Sequence, residues 1–255
     1  MVLEIKNGFF SYDKKTTVLN NINLYLKKNE ILSILGQNGS GKTTMLKCIL
    51  GLLKWNSGKT FINGISIKGF NRSNKIGYVP QIHNLTFPYT VKEIVLMGRA
   101  KYINLFSLPS KEDKIKAMEA LKEVGIEHLA ERSSFELSGG QLQLVFIARA
   151  LVSDPKIIIF DEPESHLDLK NQRLIINLIK NLVVNKDISC IINTHHPEYA
   201  LRISDKTLLL GKGEYIFGKS YNIITEDNMK KYFNIDIKIF SYTHNEKSLK
   251  SFILL

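Results

Sequence analysis

The sequence predicts an α/β fold built around a parallel sheet, and three observations predict it. Strand-like and helix-like segments alternate along much of the 255 residues. A glycine-rich loop, GQNGSGKT, joins an apolar strand directly to a helix. Two later segments, KIIIF at 156–160 and ISCII at 188–192, are short and suit strands buried on both faces.

The elements follow in order. Residues 3–6, 9–12, 22–26 and 31–35 are short runs with alternating or β-branched residues, separated by Asn, Gly and Lys, and predict four strands. The last of them enters the glycine loop, and a helix then runs to a stop at Gly51. Segments 61–67 and 75–79 predict two more strands, with Pro80 closing the second. From 90 to 151 the pattern is mostly helical, a candidate inserted subdomain. Its clearest helix is SKEDKIKAMEALKEVG, with Ser110 as cap, Asp113 three residues on, Met118, Leu121 and Val124 as apolar face, and Gly125 as stop. Alternation then resumes, with strands at 157–160, 188–193 and 207–210 and helices at 171–184 and 197–203. The tail after about 220 carries one helix at 226–233 and some β-like residues.

The loop at Gly36, Gln37, Asn38, Gly39, Ser40, Gly41, Lys42 and Thr43 fits G-x-x-x-x-G-K-[ST], between a strand and a helix as that pattern requires. Its glycines let backbone N–H groups wrap phosphates, Lys42 reaches the terminal phosphates, and the Thr43 hydroxyl suits Mg2+. KIIIFDEP ends a strand in two carboxylates: Asp161 as a Mg2+ ligand, Glu162 as general base. At LSGGQ, Ser138 suits a helix cap, but Gly139 and Gly140 each weaken the first turn by roughly 1 kcal/mol. Either the turn is simply tight, or an anion approaches the helix start. Ser165, in SHLD, reads as a turn residue. Adjacent strand side chains point to opposite faces, so His195 and His196 make a poor chelate, and one histidine facing the γ-phosphate is the better reading. Gln81 and Tyr12 carry no chemistry by themselves.

The bulk properties exclude several classes. No apolar run is long enough to span a bilayer, and MVLEIKNGFF lacks the pattern of a signal peptide, so a cytoplasmic chain is expected. Cys48 and Cys190 stand apart in apolar contexts and read as buried thiols. The net charge of +11 comes mostly from scattered lysines and does not by itself indicate nucleic acid.

Taken together and in this order, GQNGSGKT, YVPQ, LSGGQ, IIIFDEP, SHLD and THH resemble the ATP-binding subunit of an ABC transporter, over about residues 2–218. The resemblance implies a P-loop NTPase with a RecA-like parallel-sheet core, an antiparallel β subdomain, a helical signature subdomain at about 90–151, and an extension at 219–255. It implies that Tyr12 stacks on adenine, and that Gly36, Gly39, Gly41, Lys42, Thr43 and Thr44 cradle the phosphates. It further implies that Gln81 senses Mg2+ and the attacking water and links to the membrane partner. Ser138, Gly139, Gly140 and Gln141 form the signature, Asp161 and Glu162 the Mg2+ aspartate and catalytic glutamate, Asp168 the loop crossing the dimer interface, and His195 the switch histidine. ATP and Mg2+ are the implied ligands. The implied partners are a second copy packed head to tail, a polytopic permease dimer and, indirectly, a substrate-binding protein, with no nucleic acid. The chain would then sit peripherally on the cytoplasmic side of the membrane.

Residues 90–113 resemble importers for iron–siderophore, haem and cobalamin, and Gln37, PYTVKEIVLMGR and Leu144 resemble the molybdate or tungstate branch. Gln37 stands where the wider family has proline, Leu144 where it often has arginine, and Glu164 where threonine usually follows DEP. The competing class is a non-transport ABC ATPase, such as an iron–sulfur assembly scaffold or a nucleic-acid-associated ATPase.

Overall fold

The computed structural model describes residues 1–13, 15–67, 69, 75–81, 86–104, 106–244 and 247–255. Leu105, within the 90–113 stretch, lies outside them. In chain order the first elements are β1 (Leu3–Ser11), β2 (Thr17–Leu26), β3 (Ile31–Gly36), α1 (Lys42–Ile49), β4 (Ser57–Ile62), β5 (Ile65–Ser66) and β6 (Ile76–Val79). There follow α2 (Val91–Met97), α3 (Lys111–Glu123), α4 (Gly139–Leu151), β7 (Ile157–Asp161), α5 (Leu169–Asn185) and β8 (Ser189–Asn193). The last are α6 (Pro197–Ile203), β9 (Lys206–Leu210), β10 (Tyr215–Lys219), α7 (Ser220–Ile223), α8 (Glu226–Phe233), β11 (Ile237–His244) and β12 (Lys247–Leu254). The chain divides into two compact units, residues 1–71 with 189–255, and residues 72–188.

In the first unit, β3 pairs in parallel with both β8 and β9, and β10 folds back antiparallel on β9. Parallel pairing needs both faces covered, and every residue of β3, β8 and β9 is buried. A separate antiparallel sheet runs β2-β1-β4-β5. Here the strand boundaries differ from those the sequence predicts. Segments 3–6 and 9–12 are one strand, β1, whose register against β2 shifts between Ile5 and Gly8, with Asn7 at φ 50. The bulge keeps pairing continuous where the side-chain pattern breaks. Segment 61–67 is two strands, because the chain reverses at Asn63 and Gly64.

The tail folds with this unit. Ile223, Ile224, Met229, Tyr232 and Ile237 share a buried cluster with Leu35, Ala200 and Leu209, and Phe252 of β12 packs against it. The β-like residues after 233 are the hairpin β11–β12.

In the second unit β6 and β7 pair in parallel, Val79 opposite Phe160. Among the described residues the stretch 90–151 contains three α-helices, each opened by a reciprocal cap: Thr90 with Glu93, Ser110 with Asp113, and Ser138 with Gln141. The Ser110 cap is as predicted. A buried ion pair joins the turn after α2 to α3, Arg99 Nε donating to Asp113 Oδ1 at 2.9 Å while its Nη1 donates to Val152 O at 3.2 Å. Among the described residues no helix is long and apolar enough to cross a membrane. Both cysteines are buried and reduced; burial pushes the Cys48 thiol up to about 12 and raises that of Cys190 further.

Candidate functional site

Candidate functional residues occur in each of the two units. In the first, β3 ends at Gly36 and the loop turns through Gly39 (φ 79) and Gly41 (φ 98), left-handed values that a side chain rarely adopts. Gly41 caps α1 without any side-chain bond, and no acid lies in the helix's first turn. Lys42, the first helical residue, is buried, and its ammonium donates to Gly36 O at 2.7 Å and Gln37 O at 3.1 Å. The loop therefore curls round its own lysine. The Ser40 hydroxyl is buried among these groups and makes no hydrogen bond. A positive helix start, a lysine and an orphaned hydroxyl in one loop fit an anion of phosphate size.

Tyr12 stands at the end of the adjoining sheet. Its hydroxyl lies 3.1 Å from Thr44 Oγ1, Phe10 meets its ring edge-on at 4.8 Å, and it is 64% exposed. The ring is thus fixed in position with a surface open for stacking.

His195 and His196 follow β8. The expectation that they point to opposite faces does not hold. β8 stops at Asn193, the chain bends at His195, and the two rings come to 4.1 Å centroid to centroid. Alternation belongs to extended strand and fails two residues beyond it. Pro197 then starts α6.

In the second unit the parallel pairing of β6 with β7 sets their ends side by side. That brings Gln81, just past β6, to the carboxylates that end β7. Gln81 Nε2 donates to Glu162 Oε2 at 3.1 Å, and Ser165 Oγ donates to the same oxygen at 3.0 Å. The Tyr78 hydroxyl donates to Asp161 Oδ2 at 3.0 Å, and burial, with the Asp161 charge adding to it, raises the Tyr78 pKa, so the phenol stays protonated. Glu162 adopts φ 48, and Ser165 N bonds back to Glu162 O at 3.1 Å. Glu164 is buried at 1% exposure.

The signature segment lies at the start of α4. Ser138 Oγ accepts from Gln141 N at 3.3 Å, and Gln141 Oε1 accepts from Ser138 N at 3.0 Å. The Gln141 side chain is thus used in the cap, whereas the Ser138 hydroxyl keeps its proton for another acceptor. A methyl on Gly139 would meet only Leu167, at 3.8 Å, but one on Gly140 would strike the Asn171 amide. Asp168 caps α5 by accepting from Asn171 N at 2.7 Å, and Asn171 Nδ2 donates to Asp168 Oδ2 at 3.1 Å. Gly140 therefore has a reason within its own chain, close helix packing, in addition to any ligand.

Three residues at the site carry no role in the sequence alone: Tyr78 and Asn171, and Ser165, which reads there only as a turn residue. The first needed the pairing of β6 with β7. The other two each stand three residues after an acid they bond, a spacing visible in Glu162-x-x-Ser165 and Asp168-x-x-Asn171.

A lysine-centred phosphate loop after a parallel strand, with carboxylates at a second strand end and a capped Ser-Gly-Gly helix, defines a P-loop ATPase of the cassette type. The family described as ABC transporter matches residues 19–165, over half of the chain, and the chain belongs to that family. It is 39% identical over 233 residues to the molybdate import ATP-binding protein MolC of Haemophilus influenzae, covering 91% of this chain and 88% of that one. A chain described as part of a metal-chelate type ABC transporter in an inward-facing conformation superposes with a TM-score of 0.90 at 37% identity, covering 100% of this chain and 97% of that one. The ATP-binding cassette MJ0796, in a dimeric post-hydrolysis state bound to ADP and Pi, superposes at 0.72 with 32% identity, over 86% of this chain and 98% of that one. The protein is an ATP-binding, ATP-hydrolysing transporter subunit.

Proposed function

We propose that the chain is the motor of an importer for a metal chelate or an oxyanion such as molybdate or tungstate, working through a separate permease and, indirectly, a substrate-binding protein. Its place would be peripheral, on the cytoplasmic face of the membrane. The relatives in molybdate import and metal-chelate transport support the cargo class. An apolar surface on the second unit supports a protein partner: Phe106 and Leu108 are almost fully exposed beside a groove of about 400 Å3 lined by Leu96, Met97, Ile103 and Pro109.

The observation that carries the ATPase reading is the bond from Gln81 to Glu162, next to Asp161. In this reading Lys42, Ser40 and the loop amides bind the phosphates, the exposed Tyr12 ring stacks on adenine, and Glu162 takes the proton of the attacking water. His195 faces the γ-phosphate. Thr43, Asp161 and Gln81 offer a hydroxyl, a carboxylate and an amide oxygen, hard donors of the kind Mg2+ takes, and the metal would supply charge neutralisation at the phosphates. Two copies pack head to tail, so that Ser138, with Gly139, Gly140 and Gln141, covers the γ-phosphate held by its partner, and Asp168 lies at that interface. The dimeric relative with ADP and Pi supports this arrangement. Removing the base while keeping the shape tests it. Glu162→Gln should run as an ATP-dependent dimer on gel filtration, and a monomer under saturating Mg-ATP would refute it.

A further inference from the structure

Glu162 has a second anchor besides Gln81, and it comes from its own turn. We propose that Ser165 is a positioning residue for hydrolysis, holding one oxygen of the Glu162 carboxylate so that the group presents a fixed face to the attacking water; this rests on the reading of Glu162 as general base. The Ser165 hydroxyl donates to Glu162 Oε2 at 3.0 Å, and the Gln81 amide donates to the same oxygen at 3.1 Å. Two donors on one oxygen fix the roll of the carboxylate as well as its place. A glutamate has several side-chain torsions, and a base that wanders by an ångström loses much of its effect.

The two donors differ in how they are held. Gln81 belongs to the end of another strand, whereas Ser165 sits three residues on in the same tight turn. That turn is closed by the bond from Ser165 N to Glu162 O at 3.1 Å and depends on the left-handed backbone of Glu162 at φ 48. Strain of this kind persists where the surrounding bonds over-determine it. Ser165 and Glu162 are thus tied together by one turn, independently of the strand that carries Gln81. A hydroxyl is needed at 165, since alanine keeps the turn and loses the side-chain bond.

The test is steady-state ATP hydrolysis by the full chain in Glu162→Gln, Ser165→Ala, Ser165→Thr and the double variant Glu162→Gln/Ser165→Ala, with thermal denaturation as a check of folding. Ser165→Ala should lose roughly tenfold in kcat, as expected for one bond to a charged group, with KM for ATP within about twofold of wild type. Ser165→Thr should recover most of kcat. In the Glu162→Gln background Ser165→Ala should leave the ATP-dependent dimer on gel filtration unchanged, whereas a merely structural serine would weaken it there. If Ser165→Ala expresses poorly, Ser165→Cys keeps the shape, weakens the donor and gives the same split. A wild-type kcat for Ser165→Ala, or loss of the ATP-dependent dimer in Glu162→Gln/Ser165→Ala, overturns the proposal. If Glu162→Gln itself hydrolyses ATP at the wild-type rate, the base assignment falls, an outcome separate from an inactive Glu162→Gln beside an unimpaired Ser165→Ala.

Discussion

A methyl group added at Gly140 would lie 2.6 Å from the side-chain amide carbon of Asn171. Asn171 cannot turn aside at no cost, because its Nδ2 donates to Asp168 Oδ2 at 3.1 Å. Gly140→Ala should therefore break that bond and disturb the Asp168 cap, although alanine is the better helix former by about 1 kcal/mol. ATPase activity should fall at least tenfold by the proposed role of Asp168, and Gly140→Ala/Asn171→Ala should fold better than Gly140→Ala alone. Equal melting temperatures in the two variants would show that the contact is not the cause.

The Tyr12 ring and its hydroxyl should separate cleanly. Tyr12→Phe removes only the contact with Thr44 Oγ1 and keeps the edge-on packing on Phe10. ATP affinity should stay within about threefold. Tyr12→Ala should weaken ATP binding by roughly tenfold or more, the usual worth of an aromatic–base stack. Fluorescent nucleotide titration reads both, and an unchanged affinity in Tyr12→Ala would remove the adenine contact.

Acid should weaken the helical unit through Asp113. Its carboxyl is held down to about 2, first by the Ser110 hydroxyl and then by Arg99. A carboxylate lowered in the folded state stabilises the fold above its unfolded value, near 4, and that contribution is lost as pH falls toward 2. Asp113→Asn should be less stable at neutral pH and should lose this part of the pH dependence. Parallel denaturation curves for wild type and variant from pH 5 to pH 2 would contradict the assignment.

Met229 is fully buried in the cluster that the tail shares with β3 and β9. Met229→Ala should destabilise the first unit by about 2–5 kcal/mol, the range for emptying a core position. A loss under about 1 kcal/mol would mean the tail packs far more loosely than its burial indicates.

The partner distinguishes transport from other uses of a cassette. The chain should co-purify with a polytopic membrane protein, and Phe106→Ser/Leu108→Ser should weaken that association while leaving the chain folded. Sedimentation with ribosomes or DNA at moderate salt would refute the importer reading.

The parallel strands, the helical character of 90–151 and the helices opened by Ser110 and Ser138 were legible because their signals are local. KIIIF is apolar throughout, and Ser110 declares its cap at Asp113. The phosphate loop was legible for the same reason, as glycines, lysine and threonine stand in one run. What the sequence concealed was non-local. The partner that makes Gly140 necessary is thirty-one positions away at Asn171, and Tyr78 acquires its meaning only when β6 lies beside β7. The strand β10 was missed because its half-buried residues alternate weakly, and the hairpin β11–β12 because its apolar side serves a cluster drawn from several distant segments. His195 and His196 were misjudged by extending a strand rule past Asn193.

Leu35 immediately precedes the first glycine of the phosphate loop, and it shares one cluster with Ile224, Met229 and Tyr232. The last stretch of the chain is thus a foundation on which the nucleotide-holding strand rests. Substitutions there would retune the motor from behind, altering how firmly β3 is seated without touching an atom of nucleotide. Relatives alike in every motif could for that reason turn over at different speeds.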